Sequence, residues 1–170
     1  CLARLKTYPI TYFNMMSGKL IVFIVICLIQ AVIIVLIGMY LLPVFGLPKL
    51  RIPGNWGAFS MMTLAAAFAA SGYGIAIGTI SSTIVQASTF GSVSTVILAA
   101  IGGIWIPVTV MPEVMRKISE VSPMNWGIQG YYDVFLRSAN TIEILPSVLK
   151  LMLFYLVCLM ISVAFRKYRS

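Results

Sequence analysis

Histidine is absent from this 170-residue sequence, and acidic residues number only four. The four are Glu113, Glu120, Asp133 and Glu143, all between two apolar runs. A membrane enzyme needs a nucleophile with its base, a metal cluster or paired carboxylates. None of these can be assembled inside the apolar runs, and no lysine lies deep enough in one to form a Ser–Lys dyad. The residues therefore point away from an enzyme. Charge of either sign is scarce at 9%, while 61% of residues are hydrophobic and the mean hydropathy is +1.02. A soluble domain carries about 25% charged residues, so this chain uses lipid as its solvent. Of the three cysteines, Cys27 and Cys158 sit inside apolar runs. They read as small packing residues, not as a disulfide or a metal site.

Two further absences narrow the transport chemistry. A proton relay needs an ionisable group near the bilayer centre. The only charge in the expected spans is Lys150, at an end. Sodium coupling is less strongly opposed, because backbone carbonyls also bind ions. Gly18-Lys19 is followed by Leu20, and Phe13 stands where a P-loop requires glycine. A phosphate cradle of that kind is therefore missing, and no cofactor is expected on this chain.

What the sequence has is long uncharged stretches. The first, 20–42, holds 23 residues, about 34 Å as a helix and enough to cross a core about 30 Å thick. A strand would leave backbone groups unsatisfied in lipid, so helix is expected. Pro43, Pro48 and Pro53, with Lys49, Arg51 and Trp56, mark an interfacial loop after it. The next stretch, 52–112, is far too long for one crossing and must fold back. Its polar segment 81–91 is the expected turn, giving spans near 58–80 and 92–111. The last span begins at Pro146, with Lys150 snorkelling outward, and ends in a basic tail, 166–170. The expected fold class is thus an all-α membrane protein with about four transmembrane helices.

Between the third and last spans lie two short amphipathic pieces. In 112–121, Val114, Ile118 and Val121 share a face, with Glu113 facing Lys117 and Arg116 facing Glu120 at i,i+4 spacing. Ser122-Pro123 reads as N-cap and first helical residue. From there Met124, Ile128, Tyr131, Tyr132 and Phe135 form an apolar face, and Asn125, Gln129, Asp133 and Arg137 a polar ridge. Neither piece is long enough to span. They read as interfacial or re-entrant helices.

The net charge of +8 comes from bases clustered beside apolar runs, the pattern of headgroup anchoring and not of nucleic-acid binding. With four spans, the termini and the 81–91 turn share one side. Each side then carries six bases, so the positive-inside rule does not orient the chain. Gly74 and Gly78 form a small-xxx-small pair suited to helix packing, within the chain or in a dimer. Gln30, in the first span, suits a helix–helix hydrogen bond or a substrate contact.

The ordered set resembles the permease subunit of an ABC transporter of the type 2 exporter class. The most specific stretch is Gly102-Gly103-Ile104-Trp105-Ile106-Pro107, then Met111-Pro112-Glu113, then Ser122-Pro123-Met124-Asn125-Trp126. In that family these positions form re-entrant gate helices, which implies a gate involving Gly102, Gly103, Pro107, Pro112, Pro123 and Trp126. A second stretch, Leu5-Lys6-Thr7-Tyr8-Pro9-Ile10-Thr11, then Gly18-Lys19-Leu20, is similar to the cytoplasmic coupling helix and the entry to the next span. The resemblance implies that Arg4, Leu5, Lys6, Thr7 and Pro9 contact a cytosolic ATPase that binds ATP. It divides the single permease domain, 1–170, into a coupling segment 1–19, three spans within 20–111, external helices 112–145, and a last span with its tail, 146–170. The family has two earlier spans, so the opening Cys1 in place of Met suggests an N-terminally truncated permease. It also implies pairing with a second permease copy or homologous half in a bacterial inner membrane, and export of a lipophilic or amphipathic substrate. A passive channel, a secondary carrier and a non-transport scaffold are the alternatives.

Overall fold

The computed structural model describes residues 12–48 and 55–169. Among the described residues, four helices are long and apolar enough to cross a membrane, and shorter helices accompany them. Helix α1 (Tyr12–Leu36) continues through a π-helical turn (Ile37–Leu41) into Leu42–Val44. Pro43 accounts for the turn. Its ring cannot donate and crowds the carbonyl four residues back, and a wider turn relieves that clash. The Leu42 N–H accordingly bonds the Ile37 carbonyl, five residues back. Gly46, at φ +73°, then closes the helix. Its N–H reaches the Pro43 carbonyl and that of Leu47 reaches Leu42, both at 3.1 Å, which satisfies two end carbonyls.

Helix α2 (Trp56–Ile80) starts at Asn55, whose Oδ1 accepts from the Ala58 N–H at 3.2 Å. Helix α3 (Ile84–Ile101) follows almost at once. The expected turn over 81–91 and span over 92–111 are corrected here: the turn is only 81–83, and the helix starts at Ile84. Two local effects explain the shift. Thr83 caps the helix by accepting from the Gln86 N–H at 3.1 Å, while the Gln86 side chain accepts from the Ser82 N–H at 2.8 Å. This is close to a reciprocal capping box. Further along, Ser92 donates to the Ser88 carbonyl at 2.9 Å, and Ser94 donates to the Phe90 carbonyl. Hydroxyls that bond their own helix need no water, so the polar run stays helical at membrane depth.

Helix α4 (Glu113–Ser119), helix α5 (Pro123–Leu136) and helix α6 (Leu145–Arg169) complete the chain. A 3₁₀ turn (Val108–Val110) lies between α3 and α4.

The core is the seam between α2, α5 and α6. Ala58, Met62, Ala65, Ala69, Gly72 and Ala76 are buried and follow one another at spacings of three and four along α2. Small side chains there let α6 approach closely. A Cβ on Gly72 would stand 2.6 Å from the Tyr155 ring. Thr79 and Ser162 share a hydrogen bond of 2.8 Å further on. Ala58 and Met62 cluster with Ile144 and Val148 at the other end, so α2 and α6 run parallel. Gly74 and Gly78 lie off this stripe. Both are exposed, and a Cβ on either would meet nothing within 4 Å. Close packing inside the chain therefore passes through Gly72, not through that pair. Helix α1 touches the bundle along α2 and presents most of its apolar surface outward, with Ile34 67% exposed.

Gly72→Val should lower the thermal unfolding midpoint in detergent by the equivalent of about 1–3 kcal/mol, through overpacking against Tyr155. Gly74→Ala should leave the midpoint unchanged or raise it, since nothing opposes the added methyl.

Candidate functional site

The candidate site is built where the C-terminal end of α3 meets α4 and α5. Gly102 caps α3 and is buried. A Cβ there would lie 2.5 Å from Met124 Cβ and 3.1 Å from the Asn125 nitrogen. Only glycine lets the start of α5 sit this close. Gly103 follows at φ +89°, where a side chain would also meet Val108 Cγ2 at 2.7 Å. The Ile104 N–H then turns back to the Ala99 carbonyl at 3.1 Å, closing the helix. The two glycines thus reverse the chain and seat α5 against α3.

The prolines punctuate the return. Pro107 precedes the 3₁₀ turn and Pro112 precedes α4; both are exposed. Pro123 opens α5, as expected for a residue with no N–H to satisfy. Ser122 occupies the cap position, but its hydroxyl makes no cap bond. It donates instead to the Leu98 carbonyl at 3.3 Å, tying α5 to α3. This corrects the expected capping role: the Leu98 carbonyl, which also accepts from the Gly102 N–H at 2.8 Å, offers its second lone pair as a competing acceptor. Trp126 donates its indole N–H to the Glu120 carbonyl at 2.6 Å and joins α4 to α5.

Helix α5 is held on its other side by the core. Val134 is 2% exposed and packs with Met62 and Ile144, each 0%. Gly130 lies directly against the Met62 side chain. The Tyr131 hydroxyl donates to Thr63 Oγ1 at 3.3 Å, and Tyr131, Phe135 and Phe59 form an aromatic cluster. Asn55 closes the far end by donating to the Ala139 carbonyl at 3.3 Å. The sequence pattern had not singled out Gly130, Met62 or Asn55. For Asn55 a signal existed, since asparagine directly before a helical run is a strong cap.

The expected apolar face of α5 is partly corrected. Tyr132 is exposed, while Asn125, assigned to the polar ridge, is buried. Core contact is centred on Gly130 and Val134, which rotates the buried face away from Tyr132. The expected i,i+4 pairs of α4 do not form. Among the described residues the one ion pair is Arg137 with Asp133, at 3.0 Å. Glu113, Arg116, Lys117 and Glu120 are all exposed, and such pairs gain only about 0.3–0.5 kcal/mol over solvation. Lys150 is exposed, and Gln30 lies exposed on α1. Arg4, Leu5, Lys6, Thr7 and Pro9 lie outside the described residues.

Two spaces flank α5. An apolar cavity of about 290 Å³ lies between it and the spans, lined in part by Ala69, Tyr73, Leu98, Met124 and Tyr131. On the other side, a groove of about 460 Å³ runs between α5 and the 103–109 loop.

A bundle of four apolar spans, with a paired short-helix segment packed in before the last, is the architecture of a multi-pass membrane protein. The family model for the ABC-2 type transporter matches residues 1–136. The chain belongs to this family and is a membrane-spanning permease component of an ABC transporter. The match runs through the first three spans and both short helices, and stops before α6. Neither a curated protein nor a solved structure matches the chain.

Gly103→Ala should cost about 1–2 kcal/mol, because the left-handed backbone disfavours a Cβ there. A lowered unfolding midpoint, with faster proteolysis inside 102–112, checks this.

Proposed function

We propose that the chain is the pathway-forming part of an ATP-driven exporter whose energy comes from a separate cytosolic ATPase. The observation that carries this reading is the family match over 1–136, which takes in both the 4–12 segment and the α4–α5 pair. In the proposed cycle the ATPase docks on Arg4, Leu5, Lys6, Thr7 and Pro9. ATP binding and hydrolysis on that subunit bias the bundle between inward- and outward-open states. A second permease copy or a homologous half covers apolar surface such as the outer face of α1, whose exposed Val22, Ile29 and Ile34 need lipid or protein against them. The termini face the cytoplasm of a bacterial cell, and the spans lie in its inner membrane.

The α4–α5 pair is proposed as the outer gate. Its close fit at Gly102 supports this reading, since a small tilt of α5 changes the width of both flanking spaces. The apolar cavity favours lipophilic or amphipathic cargo. The packing of Val134 on Met62 favours a second reading, in which α5 is a fixed anchor and only α4 and the 103–112 loop move.

Copurification of the intact permease with a Walker-motif ATPase is the expected result. Arg4→Glu with Lys6→Glu should abolish it, and unchanged copurification would remove the coupling role. Wild-type transport with no ATPase present would overturn the exporter reading; a response to an imposed ion gradient instead would indicate a carrier. For the gate, Leu98→Cys with Ser122→Cys in an otherwise cysteine-free permease should block export when crosslinked. Undiminished export would leave α5 an anchor.

A further inference from the structure

The apolar cavity beside α5 is bordered by a glycine that nothing else in the packing requires. Gly127 lies inside α5 and lines the cavity. Glycine inside a helix is unfavourable relative to alanine. Yet a Cβ at Gly127 would meet nothing within 4 Å. At Gly102 and Gly130 a Cβ would lie 2.5 Å and 2.4 Å from a neighbouring side chain, so close approach accounts for those two. At Gly127 the missing side chain leaves space instead. Ala66, Ala69 and Ala70 line the same cavity from α2, so that wall is trimmed as well.

The lining selects an occupant. Its two side-chain hydroxyls are engaged elsewhere: Tyr73 donates to Ser94 Oγ and Tyr131 to Thr63 Oγ1. The other lining side chains are apolar. Ala66 to Tyr73 of α2, and Leu151 and Phe154 of α6, lie midway along their spans. The cavity is therefore at hydrocarbon depth, where polar molecules are scarce. Its volume of about 290 Å³ is about twice the roughly 150 Å³ at which an apolar cavity stays dry and takes up benzene. A partner helix, about 10–12 Å across, cannot enter a recess of that size. A length of hydrocarbon chain can, and the bilayer supplies one at this depth. We propose that the cavity is occupied by part of one acyl chain of a bilayer phospholipid, lodged against Gly127 between α5 and α2. The lining offers nothing to a headgroup, so the head stays in the leaflet and the lipid is a resident, not cargo. The binding stands on the cavity alone. That the tail props α5 away from α2, and that exported molecules displace it, rest on the transport reading above.

The test uses the intact permease in phosphatidylcholine nanodiscs without ATPase, so binding can fail while energy coupling stands. A small fraction of the phosphatidylcholine carries a diazirine near the end of one acyl chain, and photolabelled residues are mapped by peptide mass spectrometry. Label is expected on Met124 and Phe154, which line the cavity, and on Met160 and Val163 on the outside of α6 as the reference. Gly127→Leu fills the cavity from α5, and Ala70→Leu, at an exposed position, fills it from α2. Each should lower the label on Met124 and Phe154 several-fold and leave the reference label unchanged. Each should also hold or raise the thermal unfolding midpoint, since neither a helix nor a contact is disturbed. The proposal is overturned if Met124 and Phe154 stay unlabelled while the reference is labelled, the result a plugging protein side chain would give. It is also overturned if their label survives both substitutions. In proteoliposomes with the ATPase, ATP-dependent transfer of the labelled lipid between leaflets would make it cargo and overturn the resident role.

Discussion

The contact between the small-residue stripe of α2 and the side chains of α6 governs the arrangement of the rest. In lipid there is no hydrophobic gain in bringing two apolar helices together, because hydrocarbon surrounds them either way. Association then depends on dispersion across many close contacts, and small residues permit such contacts. Ala58, Ala65, Ala69, Gly72 and Ala76 supply that surface on α2. Tyr155 fills the space at Gly72, and Ile144 and Val148 close the end. With α2 and α6 set side by side, α5 has a fixed seat on Met62, and the groove and cavity on its two sides follow from that seat.

Polar groups add specificity at few points, and nearly all are answered locally. Thr63, Thr79, Ser92 and Ser94 return their hydroxyls to carbonyls of their own helices. The ties between elements include Tyr73 to Ser94, Thr79 with Ser162, Ser122 to Leu98, Tyr131 to Thr63, Trp126 to Glu120, and Asn55 to Ala139. They lie where helices begin, end or cross, positions at which a hydrogen bond sets alignment more than it adds stability. Against that background Ser71 Oγ and Asn125 Oδ1 stand out among the described residues as buried atoms without a partner.

The transport assignment follows from the same economy. Among the described residues the four spans carry Lys19 and Lys150, each near a span end, and no acidic residue, and no metal-binding cluster is gathered. The family to which the chain belongs carries out transport.

Several features were legible without a structure because they are properties of single segments. Uncharged length makes 20–42 a span, since unpaired backbone cannot remain in hydrocarbon. Pro112 and Pro123 mark helix starts by lacking an N–H. The period of Val114 and Ile118 gives α4 its outward apolar face. Where the sequence reading erred, competing partners decided. The polar segment 81–91 suggested a turn, yet the caps at Thr83 and Gln86 start the helix at Ile84. Ser122 looked like a cap, and the Leu98 carbonyl took its hydroxyl. Gly74 and Gly78 had the spacing for close packing, but the buried face of α2 passes through Gly72. Asn125 shared a ridge with Gln129 and Asp133 by spacing, yet the turn at Gly102 and Gly103 folded the chain over it. Composition and spacing determine that there are spans, how many, and where they are punctuated, because those depend on the solvent around each residue. Which face of a helix is buried depends on what stands opposite it, and only the packed bundle brings those partners into place.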